Sequence, residues 1–204
     1  MTPYLAQTMA FLESIGILCW RHRGAGGFLD RVRIVDGQIY FDDDAAVEDL
    51  LHEAGHVAVV PKPYRKFATD DLEVVTRLMG KAMEDDLCQV DSRLMRAMMQ
   101  SGEAEATAWA WAAGKHLGIP AELIISDGSY NGEGAAIRLQ LQMRAYVGIN
   151  GLWHAEMCAR PHQKELPQYP ALLHWTQDIG LDEGDLVSPY AKLVTQHDRA
   201  RPAA

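Results

Sequence analysis

Residues 51–57 read Leu-His-Glu-Ala-Gly-His-Val, which is a His-Glu-x-x-His pattern. On an α-helix, residues four apart lie on one face, so His52 and His56 can both direct an imidazole nitrogen at one metal ion. Glu53 is rotated by about 100° around the helix axis, which places its carboxylate beside the metal and outside the ligand set. There it can take a proton from a metal-bound water molecule. The spacing predicts a zinc site with Glu53 as the catalytic base. The alternative is a structural role, with two histidines packed on a helix and no metal.

A third ligand must come from outside this motif, and the alanine-rich stretch 101–120 offers two glutamates. The stretch predicts a helix that a glycine and a proline end. Glu105 shares a face with small residues, which would let this helix approach the motif helix closely. Glu103 stands about 200° around the axis from Glu105, so the two cannot both reach one metal. We choose Glu105 as the third ligand, with Glu103 as the second choice and the cluster Glu84, Asp85 and Asp86 as the third.

Composition places the chain in a broad class. Its 204 residues fit a single domain, 1–204, and 48% hydrophobic with 23% charged residues is typical of soluble globular proteins. A formal net charge of −9 argues against a nucleic-acid partner, because neutralising phosphates needs clustered Lys and Arg. No apolar stretch approaches about 20 residues, so no membrane span is expected. Cys19, Cys88 and Cys158 are odd in number and far apart, which favours a reducing, cytoplasmic location.

The elements around the motif can be predicted from local patterns. Residues 31–41 contain two β-branched and aromatic runs joined by Asp36-Gly37, a dipeptide typical of type I′ hairpin turns. A helix is expected over 45–60, beside an antiparallel hairpin. The three aspartates 42–44 before it predict a capping run, with a calcium site as the weaker alternative.

Helical periodicity predicts several further elements. We expect helices over 3–15, over 70–100 with a break near Gly80, and over 135–146, together with a helix or tight turn over 148–158. The glycine-rich stretch 126–134 is interpreted as a plain connector, with a lid or substrate rim as the alternative. Short helices over 171–176 and 190–196 and a frayed tail over 199–204 complete the chain. Candidates for stabilising an oxyanion are Tyr130, Tyr146 and His154.

Three segments together resemble the ImmA/IrrE-type metallopeptidases: 36–41, the motif 52–56, and the stretch 103–110 of pattern Glu-x-Glu-Ala-x-x-aromatic-Ala. The resemblance covers about residues 31–120. It implies a zincin-like fold in which His52, His56 and Glu105 bind zinc and Glu53 is the base. It also implies a regulatory protein as the substrate.

The combined interpretation is an α+β, mainly helical, zincin-like domain with a small antiparallel hairpin packed beside the motif helix. Residues 31–120 would form the metal-site core and 121–204 a helical C-terminal part. The expected function is that of a gluzincin-like, zinc-dependent peptidase acting on a protein or peptide. The alternative is a regulatory or protein-binding module with a structural metal, in which His154 or Asp85 would supply a fourth ligand.

Overall fold

A computed structural model describes residues 1–84 and 90–178 of the chain. Within these ranges the fold is α+β and mainly helical, as predicted. The strands are β1 (Cys19–Arg21), β2 (Val32–Val35) and β3 (Gln38–Phe41), and the helices are α1 (Pro3–Ser14), α2 (Val47–Val59), α3 (Lys62–Arg65), α4 (Glu73–Met83), α5 (Arg93–Met99), α6 (Glu103–His116), α7 (Ala121–Ile124), α8 (Ser129–Gly132), α9 (Gly134–Gln142) and α10 (Val147–His154).

The predicted hairpin is confirmed. Strands β2 and β3 pair antiparallel, and Asp36 and Gly37 between them have φ values of 56° and 70°. Positive φ at both central residues is what a type I′ turn requires. Sequence analysis missed β1, which pairs parallel to β3 and completes a three-stranded sheet of order β1-β3-β2. A strand of three residues is too short to show a periodic pattern.

The three aspartates before α2 do not cap it, so that prediction is wrong. The N-cap residue of α2 is Ala46, which makes no side-chain capping bond. Instead, the Asp42 carboxylate accepts hydrogen bonds from the backbone amide of Gly24 at 2.7 Å and from that of Asp44 at 3.1 Å. Asp43 forms an ion pair with Arg21 of β1. The aspartates therefore hold the loop between β1 and β2 in place.

Helix α2 carries the motif and packs closely against α6. A Cβ atom added at Gly55 would lie only 2.4 Å from the carbonyl oxygen of Ala106. The two backbones therefore touch at a point where only glycine fits on α2. Helix α10 crosses α6 in the same way, since a Cβ at Gly148 would lie 1.8 Å from the carbonyl oxygen of Ala104. Helix α6 is thus held between α2 and α10.

The helix expected over 70–100 is divided. Helices α4 and α5 form its two ends, and Gly80 lies inside α4 without breaking it. Asp85 and Asp86 fall outside the described residues. The expected helix over 171–176 is not found, because this part of the proline-rich C-terminal segment is irregular. The helix expected over 190–196 and the tail over 199–204 lie outside the described residues.

The C-terminal end of the described chain is tied to the motif helix and to the core. The backbone amide of Gln177 donates to the carbonyl oxygen of Ala58 on α2 at 2.9 Å. The indole of Trp109 on α6 donates to the carbonyl oxygen of Trp175 at 2.8 Å, and both rings pack against Phe11 of α1. Among the described residues, no helix combines the length and the apolar character that crossing a bilayer requires.

Candidate metal centre

Three side chains from two helices converge on one point. The Nε2 atoms of His52 and His56 lie 3.1 Å apart. One carboxylate oxygen of Glu103 lies 3.3 Å from the first nitrogen, and the other lies 3.1 Å from the second. Four ligands held tetrahedrally at about 2.0–2.1 Å from a zinc ion would be about 3.3 Å from one another. The two imidazole nitrogens are spaced like neighbouring ligands of a small tetrahedral ion, a Glu103 oxygen lies close to each of them, and the group can hold a metal ion.

The protonation states of this group also suit a cation. Burial, reinforced by the neighbouring His56, lowers the pKa of His52 to about 4, so its imidazole is neutral at pH 7. The hydrogen bond from His56 lowers the pKa of the Glu103 carboxyl group, which is therefore ionised. When both histidines bind a metal through neutral imidazoles, they and the Glu103 carboxylate form a donor set of charge −1. Such a set matches a divalent ion and leaves room for a further ligand.

Glu53 lies on the same helix as the two histidines, directly after His52. Its side chain is buried, with 7% exposed. Burial raises the pKa of its carboxyl group to about 7, and His56 opposes this shift. A carboxyl group whose pKa lies near neutrality can both accept and release a proton at pH 7. Glu53 is therefore suited to proton transfer beside the donor atoms.

Glu105, chosen from the sequence as the third ligand, does not join the group in the structure. Its Oε2 atom accepts a hydrogen bond from the backbone amide of Gly102 at 3.1 Å, at the start of α6. Its carboxyl group also packs against α10, where a Cβ atom at Gly151 would lie 1.9 Å from Oε1. Glu103, the second choice, takes the position beside the histidines.

A partial signal for Glu103 is present in the sequence. Ala106, Thr107 and Ala110 follow Glu103 at offsets of three, four and seven, and they form a stripe of small residues. The face of Glu105 carries the bulky Trp109 four residues on, which is buried in the core. The Glu105 side nevertheless meets the α10 backbone closely at Gly148, so the small residues alone do not select Glu103.

Tyr130 contacts the first histidine from the opposite side of the ring. Its hydroxyl group lies 3.2 Å from Nδ1 of His52 and 2.9 Å from Oγ1 of Thr107. The Thr107 hydroxyl donates to the backbone carbonyl of Glu103 at 2.9 Å. Burial raises the pKa of Tyr130, so the phenol keeps its proton.

No protein-family model, curated protein or solved structure matches the chain. The function is therefore argued from these residues.

The two other candidates for oxyanion stabilisation differ in position. Burial raises the pKa of Tyr146, which lies near Thr107 and close enough to Glu103 for the glutamate charge to add to the shift. His154 is exposed at the end of α10 and is not part of the metal group. Tyr146 is thus at the site, and His154 is not.

A cavity of about 280 Å³ opens beside His52 and Glu103. Its walls away from these two side chains are mainly apolar. Ile124 and Ile125 are buried, whereas Phe28 is 87% exposed at the opening. A cavity of this size is slightly smaller than the range of about 300–1,000 Å³ typical of sites for drug-sized ligands. It fits one large apolar side chain beside the donor atoms.

Proposed function

We propose that the protein is a zinc-dependent peptidase whose metal is held by His52, His56 and Glu103. The observation that carries the proposal is the convergence of their donor atoms at separations of 3.1–3.3 Å. A zinc ion bound there would supply a Lewis acid that polarises a carbonyl group and lowers the pKa of a water molecule toward 7. The remaining chemistry is done by side chains of the protein.

Glu53 is the proposed general base. It takes the proton of the attacking water molecule and passes it to the leaving amine. Its position on the motif helix, directly after His52, suits both steps, because a carboxylate there lies next to a proposed metal ligand. Tyr146 is the proposed donor of a hydrogen bond to the oxyanion, because its phenol lies close enough to Glu103 for the glutamate charge to raise its pKa, whereas the Tyr130 hydroxyl group contacts His52.

The proposed substrate is a protein or peptide with a large apolar residue next to the cleaved bond. The cavity beside His52 supports this choice, because its far walls are apolar and its mouth is open to solvent. Glu48 and Asp49 also line it, and the net charge of the chain is −9. Acidic side chains would be repelled there, so neutral or basic neighbours of the apolar residue are favoured.

A zincin-like fold, with a relationship to the ImmA/IrrE-type metallopeptidases, is part of the proposal. What supports it is the order of the elements: a hairpin, the His-Glu-x-x-His helix and then a helix that brings a glutamate to the histidines. In this protein the glutamate at the histidines is Glu103. The resemblance had assigned the ligand role to Glu105, so the proposal shifts that role by two residues.

A structural metal without catalysis is the competing interpretation. Structural zinc sites are normally closed by four protein ligands. Within 1–84 and 90–178, the group consists of three side chains, and the 60% exposure of the Glu103 side chain leaves the site open to solvent. His154 is not part of the group, and Asp85 lies outside the described residues. The open geometry favours the enzyme.

The ligand set is tested by measuring the zinc content of the purified protein by elemental mass spectrometry. We expect about one zinc per chain, lost in His56→Ala and in Glu103→Ala. Glu105→Ala is the matched control on the same helix and should retain the metal. Zinc retained by Glu103→Ala and lost by Glu105→Ala would restore the assignment made from the sequence. A wild-type protein without metal after zinc is supplied would overturn the proposal.

The catalytic role is tested with Glu53→Gln, which keeps the shape of the side chain and removes its basicity. We expect normal zinc content and a fall in peptide hydrolysis of about 10²- to 10⁴-fold. The substrates would be a library of short peptides in which the residue beside the cleaved bond varies. A variant that binds zinc and hydrolyses peptides at the wild-type rate would exclude Glu53 as the base.

A further inference from the structure

The Glu103 carbonyl determines which atoms donate and which accept in the hydrogen bonds around Tyr130. The carbonyl oxygen of Glu103 can only accept, so the Thr107 hydroxyl group must use its single hydrogen there. Tyr130 must then donate to Oγ1 of Thr107. The remaining lone pairs of the Tyr130 oxygen face Nδ1 of His52, which must carry a hydrogen to complete the contact. The chain of bonds therefore runs from His52 to Glu103.

This direction fixes the tautomer of His52. A neutral imidazole that carries its hydrogen on Nδ1 has a free lone pair on Nε2. Nε2 is the atom that points at His56 and Glu103. The contact with Tyr130 thus leaves the correct nitrogen of His52 available to a metal and holds the plane of the ring.

The same bonds connect the two helices that supply the donor atoms. His52 is on α2, whereas Glu103 and Thr107 are on α6, and Tyr130 lies between them. On one side, hydrogen bonds link Nδ1 of His52 to the backbone carbonyl of Glu103. On the other side, Nε2 of His52 and the carboxylate of Glu103 meet at the proposed metal position. The result is a closed ring that includes two of the three proposed ligands.

The segment that carries Tyr130 is held in an unusual conformation. Tyr130 and Asn131 have φ values of 54° and 60°, and Gly132 follows at 89°. A tyrosine rarely adopts left-handed backbone, whereas asparagine and glycine do so more readily. Contacts with the rest of the protein must therefore hold the segment in this conformation.

Glu48 supplies them. Both of its carboxylate oxygens accept from the backbone amide of Ser126 at 3.1 Å, and one also accepts from the hydroxyl group of Ser129. The two serine hydroxyl groups lie 2.7 Å apart. Glu48 precedes His52 by one helical turn, so the motif helix itself anchors the segment that orients its first histidine.

We propose that Tyr130 and Thr107 are positioning residues of the metal site, which set the tautomer and orientation of His52 and tie it to the helix of Glu103. The inference rests on the metal site of the proposed function and goes beyond its ligands and base. It assigns to the glycine-rich segment 126–134, which the sequence suggests is a connector, the task of organising the metal site.

The test is the zinc dissociation constant, measured by competition with a chromophoric chelator, in Tyr130→Phe and Thr107→Val. We expect zinc binding to weaken about 10- to 100-fold in both, the range typical of lost partners of metal-binding histidines. Thr107→Ser keeps the hydroxyl group and should bind zinc within about threefold of wild type. Tyr169→Phe is the matched control, because the Tyr169 hydroxyl group donates to the carbonyl of Ala108 on α6 at 2.9 Å, away from the donor atoms.

A spectroscopic readout separates positioning from loss of folding. At saturating Co²⁺, the visible absorption of the bound ion reports the ligand geometry, and we expect it to change in Tyr130→Phe and to stay unchanged in Tyr169→Phe. Circular dichroism melting of the metal-free variants shows which of them fold. Zinc affinity within twofold of wild type in both Tyr130→Phe and Thr107→Val would overturn the inference, as would equal losses in Tyr130→Phe and Tyr169→Phe.

The outcomes distinguish this inference from the proposed function. Weakened zinc binding in Tyr130→Phe, in a protein that hydrolyses no peptide, would support the positioning role and overturn the peptidase. Full peptidase activity and unchanged zinc affinity in the same variant would support the peptidase and overturn the positioning role. A wild-type protein that binds no zinc would overturn both.

Discussion

Burial of the Glu53 carboxyl group gives the metal-free protein a titration that an exposed glutamate would not have. The pKa of this group is raised from 4.5 to about 7 in the folded state. The folded state therefore holds the proton more tightly than the unfolded state. This group therefore lowers the stability of the metal-free protein progressively as the pH rises from about 4.5 to 7.

Glu53→Gln should remove this pH dependence. Relative to wild type, the metal-free variant should gain about 2.5 kcal/mol more in unfolding free energy at pH 8 than at pH 5. Comparison of the variant with wild type is needed because His52 titrates as well. The pKa of His52 is lowered to about 4 in the folded state, so its titration destabilises both proteins as the pH falls below 6.5. Urea denaturation in the presence of a chelator measures both proteins. Parallel pH profiles would show that Glu53 is not a buried acid.

The histidine pair and Glu53 could be predicted from the sequence because their spacing alone places them on the helix. Spacing along one helix does not identify the third donor, because it does not show from which side α6 packs against α2. Both Glu103 and Glu105 lie on an alanine-rich helix, and only tertiary packing decides between them. Gly148 and Gly151, which draw α10 onto the Glu105 side, carry no pattern that points to Glu105.

The contact between α2 and α6 fixes the distance between the two histidines and Glu103. It occurs at Gly55, where a side chain would meet the carbonyl of Ala106. The elements on either side of this contact were predictable from local chemistry: Asp36-Gly37 specifies the hairpin turn, and the periodic pattern specifies α2. Strand β1 forms by pairing with β3, which is distant in sequence. The contacts of the aspartates 42–44 with the loop between β1 and β2 are also non-local, so local sequence could predict neither feature.

Gly55→Ala should therefore force the two helices apart. We expect a loss of about 1–3 kcal/mol in the free energy of unfolding, as overpacking typically costs, together with weaker zinc binding. Gly80→Ala is the control, because Gly80 lies in α4 and, among residues 1–84 and 90–178, nothing comes within 4 Å of the added atom. It should gain about 0.5–1 kcal/mol from helix propensity and leave zinc binding unchanged. Chemical denaturation and chelator competition measure the two effects. Unchanged zinc affinity in Gly55→Ala would show that the helix contact does not control the site.

In the whole molecule, the metal group joins elements that are also joined by the hydrophobic core. Helices α1, α2, α6 and α10 and the sheet contribute to one apolar cluster. A ligand that binds the folded state alone stabilises all the elements that fold with its site. Zinc should therefore raise the stability of the chain as a whole.

At a free zinc concentration a thousand times the dissociation constant, we expect about 4 kcal/mol of added stability. For a chain of this size that corresponds to a rise of about 8–16 °C in the melting temperature. Differential scanning calorimetry with and without zinc measures the rise. Glu103→Ala should show little of it, whereas Glu105→Ala should show nearly all of it. Equal rises in the two variants would mean that the stabilising ion binds elsewhere.

The backbone contact at Gly55 also bears on which ion the site accepts. Side chains in a core can shift to suit a larger ion, but two main chains in direct contact cannot move closer, and the Tyr130 ring of hydrogen bonds resists their separation. Donor atoms 3.1–3.3 Å apart suit ionic radii near that of zinc. Calcium, which takes six to eight oxygen ligands at about 2.3–2.6 Å, would find the gap too narrow and the nitrogen ligands unsuitable. If the group binds a metal as proposed, the contact between the two main chains would oppose a larger ion.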